Sequence, residues 1–172
     1  MKNDDELRIK IILLGNGHVG KTSLATRFAK NTFSENYQPS IGVDFMMKFV
    51  EHEGKKVKVL IFDTAGQEFI SALRRQHYAG ASGVAVVFDL TSRKSFEDLD
   101  GWIEEVYDEI GKVKTIFVGN KTDLVDERVI STEEGKSYAE RKGGTYLESS
   151  AKLDKQVSDI FIPFVDDAVS KS

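Results

Sequence analysis

Apolar positions along the chain alternate between two spacings. RIKIILL (8–14), GVAVVFDL (83–90) and KTIFVGN (114–120) are short, continuous and rich in β-branched residues. That is the pattern of strands buried on both faces of a parallel sheet. Between and after them, KTSLATRFAK (21–30), SFEDLDGWIEEVYDEI (95–110) and STEEGKSYAERKG (131–143) carry apolar residues at helical spacing. The third opens on Ser131 with Glu134 three residues on, a capping box. A last helix is predicted over about 154–170, with Pro163 expected to kink or restart it. One stretch breaks the alternation. GVDFMMKFVEHEGKKVKVLIFD (42–63) reads as two strands around EHEGK, with Gly54 supplying the turn. The predicted order is β-α-β-β-α-β-α-β-α-β-α: an open α/β sheet of six mostly parallel strands, one antiparallel edge strand, and about five helices on both faces. Ligands of such sheets bind beyond the carboxyl ends of the strands.

Composition narrows the class. A chain of 172 residues is long enough for one domain with a real core. No repeat or linker divides it, so a single unit over 1–172 is expected, with its core at about 8–168. The net charge of −4 argues against a general nucleic-acid binder. There is no cysteine, which excludes disulfides, zinc-thiolate sites, thiol nucleophiles and cysteine lipidation within these residues. No apolar run approaches the roughly 18 residues that span a bilayer. The opening MKNDDELR is too acidic for a signal peptide. A cytoplasmic location is expected.

The first strand runs into GNGHVGKT (15–22), which fits G-x-x-x-x-G-K-[ST]. Glycines let backbone N–H groups converge on phosphate oxygens, and the following helix points its positive end at the same anion. Lys21 is placed to reach the β- and γ-phosphates, and the Thr22 hydroxyl to bind Mg²⁺. His18, inside the loop, reads either as a phosphate ligand or as a solvated side chain that contributes only its N–H.

Three further motifs fall at strand ends. DTAGQE (63–68) offers Asp63 to the metal through water, the Gly66 N–H to a terminal phosphate, and the Gln67 amide to orient an attacking water. NKTD (120–123) offers the Asp123 carboxylate to the N1–H and 2-amino donors of guanine. Adenine lacks both, so it would leave that group unpaired at about 1–3 kcal/mol per group. The Lys121 stem can cover the base plane. In ESSAK (148–152) the small Ala151 lets its N–H approach a base carbonyl. Each motif alone also reads as a turn or helix cap.

Together, GNGHVGKT, SIGVDF, DTAGQE, NKTD and SSAK resemble the Ras-like small GTPases in order and spacing. IGVDF, VVFDLT and SFEDLDGW are similar to the Rab branch. The resemblance implies a three-layer P-loop NTPase G domain that binds GTP or GDP with Mg²⁺ and slowly hydrolyses GTP. It implies nucleotide contacts from Gly17, His18, Val19, Gly20, Lys21, Thr22 and Ser23, from Phe33, Tyr37, Ser40 and Gly66, and from Asn120, Lys121, Asp123, Ser150, Ala151 and Lys152. Gln67 would be catalytic, and Thr22, Ser40 and Asp63 would hold the metal. Ser40 stands where the family carries threonine. It keeps the hydroxyl and loses the β-branch, so a less persistent GTP-bound first switch is expected.

The resemblance also implies an activating protein, an exchange factor and effectors. The effectors would meet the switch loops (about 33–42 and 64–79) and an aromatic triad at Phe45, Phe62 and His77. The family more often has tryptophan and tyrosine at the last two. Arg74 and Arg75 are expected to be solvated helix residues or partner contacts rather than an arginine finger. Rab proteins continue into a prenylated tail and act in vesicle traffic on the cytosolic face of membranes. Membrane attachment here would need such a tail beyond DDAVSKS. Two other readings use the same motifs: a nucleotide-holding scaffold with negligible turnover, and an ATP-using P-loop kinase, which NKTD disfavours.

Overall fold

The computed structural model describes residues 6–31, 43–64 and 71–172. Its strands are β1 (Leu7–Leu14), β2 (Val43–His52), β3 (Lys55–Thr64), β4 (Gly83–Asp89), β5 (Lys114–Asn120) and β6 (Thr145–Ser149). Its helices are α1 (Lys21–Lys30), α2 (Ser71–Arg75), α3 (Arg93–Glu97), α4 (Leu99–Ile110), α5 (Thr132–Arg141) and α6 (Val157–Ser170). The strands form one sheet in the order β2-β3-β1-β4-β5-β6. Among the strands of the described residues only the β2–β3 pair is antiparallel, so the antiparallel strand is an edge strand as expected. The order reverses on either side of β1, and that switch point is where an open α/β sheet leaves a crevice for ligand.

The period-two alternation of β1 divides the core. Ile9, Ile11 and Leu13 face a layer built with Leu24 and Phe28 of α1 and Ile160, Phe161 and Phe164 of α6. Ile12 and Leu14 face the opposite layer, with Leu99, Trp102, Ile103 and Val106 of α4 and Tyr138 of α5. β4, buried throughout, and β5, buried after Lys114, contribute to both layers, which is why their apolar runs lack alternation. The Phe28 and Phe161 rings stack at 4.3 Å between centroids and join α1 to α6.

Two helix expectations change. The stretch read as one helix over 95–110 is two, α3 and α4. The Ser92 hydroxyl accepts from the Ser95 N–H and starts α3 two residues early. Asp98 (ψ −4°) then interrupts the helix between α3 and α4. Its carboxylate is occupied by Asn16 and Lys94. Pro163 neither ends nor restarts the last helix, which runs unbroken from Val157 to Ser170. The helix loses one backbone hydrogen bond there, while Ile160, Phe161, Phe164 and Val165 remain buried on either side of it.

Candidate functional site

The loop after β1 is shaped by its neighbours. A β-carbon on Gly15 would lie 2.1 Å from the Val87 carbonyl oxygen of β4, and one on Gly20 would lie 2.3 Å from the Asn120 side-chain nitrogen. Both distances are far inside van der Waals contact. These two glycines are therefore required by protein packing as well as by any approach to phosphate. Gly20 caps α1 at φ 101° and makes no side-chain cap bond, and the first turn of α1 carries no acidic residue. The first N–H groups of any α-helix have no acceptor within the helix itself, and its N-terminus carries the positive end of the helix dipole.

Lys21 is buried, and its ammonium donates to the Gly15 and Asn16 carbonyls at 2.8 Å each. Burial lowers its pKa to about 8; the nearby Arg74 charge adds to this and the Asp63 carboxylate opposes it. Thr22 donates its hydroxyl to the fully buried Asp63 carboxylate at the end of β3, a very short contact. His18 is exposed and adopts φ 66°, a left-handed conformation uncommon for a residue with a β-carbon. Val19 is buried.

The motifs after β5 and β6 are tied directly to that loop. Asn120 donates to the Val19 carbonyl at 2.9 Å and accepts from the Ser149 hydroxyl at 3.0 Å. Lys121 donates to the His18 carbonyl at 2.6 Å and pairs with Asp89, at the end of β4, at 2.9 Å. His18 thus contributes its carbonyl, which neither reading of the sequence anticipated. Ser150, fully buried, donates to Asp123 at 2.8 Å and accepts from the Leu153 N–H at 3.0 Å. Ala151 is buried and Lys152 exposed. Gly17, His18, Val19, Gly20, Lys21, Thr22, Asp63, Asn120, Lys121, Asp123, Ser150 and Ala151 therefore gather at the carboxyl ends of β1, β3, β5 and β6. Phe33, Tyr37, Ser40, Gly66 and Gln67 lie outside the described residues.

Sequence reasoning missed three residues here. Asp89 holds Lys121. Asn16 donates to Asp98 and accepts from the Trp102 indole N–H, both at 2.8 Å, which pins the loop to α4. Arg27 reaches the loop after β6. Asp89 had a readable signal, an acid at a strand end on the motif-bearing edge. Asn16 and Arg27 had none, because their partners are distant in sequence.

Arg74 corrects a second expectation. It is not solvated: it is buried, its guanidinium lies 4.9 Å over the Trp102 ring, and it donates to Glu105 at 2.7 and 3.2 Å. Ser71 (2.5 Å) and Tyr78, in a shorter contact, donate to the same carboxylate. Burial alone would raise the Glu105 pKa, but the hydrogen bonds from Arg74, Ser71 and Tyr78 hold it below the ordinary carboxylate range. Arg75 stays at the surface and pairs with Asp108 and Glu109. The three aromatic residues come together, Phe45 with Phe62 at 5.4 Å and Phe62 with His77 at 6.0 Å. Only Phe45 is strongly exposed (55%), since the Lys10 ammonium lies 4.5 Å above the Phe62 ring.

A family model described as the Ras family matches residues 10–170. The chain belongs to the Ras family. It is 40% identical over 168 residues to the Ras-related protein RabC of Dictyostelium discoideum, covering 95% of this chain and 85% of that protein. It is 42% identical to the Ras-related protein RABA5e of Arabidopsis thaliana, covering 94% and 76%. With RABD1 of the same plant the identity is 37%, covering 94% and 80%. This Ras-family chain is a Rab-like small GTPase, an enzyme that hydrolyses GTP to GDP, and its six-stranded sheet is that of the family's G domain.

Proposed function

We propose that this chain is a GTP-operated switch in which the Gly15–Ser23 loop grips the phosphates and the NKTD and SSAK segments read guanine. The main-chain N–H groups of the loop and of the first turn of α1 satisfy phosphate oxygens. Lys21 already spends two of its three N–H donors on Gly15 and Asn16, so it is held in one position before any ligand arrives. Asp123, oriented by Ser150, accepts from the base, and the Ala151 N–H meets its carbonyl. The Thr22 hydroxyl and the buried Asp63 carboxylate, already in contact, are a hard oxygen pair suited to Mg²⁺, with the Ser40 hydroxyl as a further ligand. Thr22, Asp63 and Ser40 would hold the magnesium, which would supply positive charge to offset that of the phosphates.

Gln67 orients the attacking water. The water oxygen bonds to the γ-phosphorus as the bond to the β–γ bridging oxygen breaks, and GDP and inorganic phosphate are released with the water's protons on phosphate. Without an arginine supplied by an activating protein, a rate on the order of 10⁻⁴ per second is expected for this class. Loss of the γ-phosphate relaxes the switch segments. Effectors in membrane traffic read the GTP form at Phe45, Phe62 and His77, and an exchange factor reloads it.

The observation that carries this reading is the double link from NKTD to the phosphate loop, Asn120 to Val19 and Lys121 to His18. A base-reading segment bonded to a phosphate cradle has a use if one ligand fills both. The test is to identify the nucleotide carried by the purified protein. GDP or GTP is expected. A chain that emerges empty and ignores millimolar guanosine nucleotides with magnesium overturns the reading. Single-turnover hydrolysis separates switch from scaffold, since Gln67→Leu should slow it strongly. Equal slow rates for both proteins would remove the enzymatic role.

A further inference from the structure

The first turn of α1 belongs to the phosphate loop, but its last turn also carries a charged group committed to the site. Arg27 follows Lys21 by six residues, about 9 Å along the helix axis. Its Nε donates to the Ala151 carbonyl at 2.8 Å and its Nη2 to the Lys152 carbonyl at 3.0 Å. Its Nη1 reaches the Asn31 carbonyl at 3.5 Å, at the end of its own helix. A guanidinium is planar, and its donors are fixed relative to one another. One fork on two successive carbonyls therefore fixes two successive peptide planes. These are the planes immediately after Ala151. On the other side of Ala151, Ser150 is held by its bonds to Asp123 and to the Leu153 N–H. Ala151, buried itself, is thus fixed from both directions.

We propose that Arg27 is a positioning residue for base recognition: it fixes the loop that presents the Ala151 N–H and so sets how long a guanine nucleotide stays bound. The inference rests on the nucleotide reading above. It makes α1 a strut, with the phosphate grip at one end and the base loop at the other. The Ala151 N–H reads the carbonyl at position 6 of the purine, which guanine and hypoxanthine share. Asp123 reads the 2-amino group, which hypoxanthine lacks. Loosening the loop should therefore weaken both bases by one factor, whereas damage at Asp123 would change their ratio.

The experiment measures release of ribose-labelled fluorescent GDP and IDP, chased by unlabelled nucleotide, from magnesium-loaded wild type, Arg27→Ala and Arg27→Lys. Arg27→Ala is expected to release both about tenfold faster with the GDP-to-IDP ratio unchanged. Arg27→Lys keeps the stem and charge but loses the two-pronged geometry, so it should fall between wild type and Arg27→Ala. Binding of labelled ADP should be unchanged, because adenine has no carbonyl at that position. Release from Arg27→Ala within twofold of wild type overturns the proposal, as does a shifted GDP-to-IDP ratio or an equal loss for ADP. Should Arg27→Ala fail to fold, Arg27→Lys alone decides, because a wild-type release rate in it overturns the role. A wild type that holds neither GDP nor IDP fails earlier, and removes the nucleotide reading itself.

Discussion

The nucleotide end of the sheet and the seam between α2 and α4 are both dense in polar contacts, but they are built differently. At the nucleotide end, beside side-chain pairs such as Thr22–Asp63 and Ser150–Asp123, many bonds run from a side chain to main chain: Lys21 to Gly15 and Asn16, Asn120 to Val19, Lys121 to His18, Arg27 to Ala151 and Lys152. At the seam it runs from side chain to side chain, with Arg74, Ser71 and Tyr78 converging on Glu105. A carbonyl is present whatever residue bears it, so the first design fixes the path of loops. The second centres on one carboxylate shared by three donors, and Arg75 with Asp108 and Glu109 and Arg74 over the Trp102 ring add to its hold on a short helix. The first suits a cradle whose shape is needed with either nucleotide. The second ties one short helix to one neighbouring helix.

The contrast breaks most visibly if base recognition and stability respond to the same substitutions. On the proposed reading Asp123→Asn puts a donor where guanine meets an acceptor, so GDP affinity should fall about a hundredfold or more and xanthosine diphosphate should gain. The melting temperature of the nucleotide-free chain should barely move. Calorimetric titration with both nucleotides checks this, and an unchanged GDP affinity would remove Asp123 from the site.

Arg74→Ala should do the reverse. It takes the cation from the half-buried Glu105 carboxylate, which keeps Ser71 and Tyr78, and should cost about 1–3 kcal/mol in urea unfolding, while GDP affinity stays within threefold. Replacing Arg74 and Glu105 together by apolar residues should recover most of that loss. If Arg74→Ala instead loosens GDP strongly, seam and cradle are one unit.

Lys21 gives a pH test. Its pKa in the free chain is lowered to about 8. A bound polyphosphate favours the charged form and raises that pKa. Binding therefore takes up a proton above about pH 8, and affinity falls as pH rises further. Titration in buffers of different ionisation enthalpy should detect the uptake, and Lys21→Met should abolish it. The smallest effect belongs to Tyr78→Phe, which removes one of three donors to Glu105 and should cost about 1 kcal/mol in unfolding without changing nucleotide affinity.

Much of this was legible in the sequence because it is local. The strand runs at 8–14, 83–90 and 114–120, the hairpin, the Ser131 cap and the motifs at strand ends all depend on residues within a few positions of one another. What was not legible depended on partners far along the chain. Arg74 looks like any basic residue in a short helix until Glu105 and Trp102 are brought beneath it. Asn16 has no visible reason to differ from other loop residues until α4 passes alongside. Pro163 was read by its usual effect on helices, whereas burial on both sides of it holds the helix together. Gly15 and Gly20 were read for phosphate alone, and their closest neighbours prove to be Val87 and Asn120.

Because α1 opens on a glycine cap with no acid in its first turn, a nucleotide seated there as proposed would also complete the helix. Anions that settle there do what a serine or aspartate does at other helices, so occupancy becomes a term in folding. A nucleotide present at a thousand times its dissociation constant would add about 4 kcal/mol to the native state. An emptied protein should accordingly be less stable than the loaded one, and a partner that ejects the nucleotide would work against that difference.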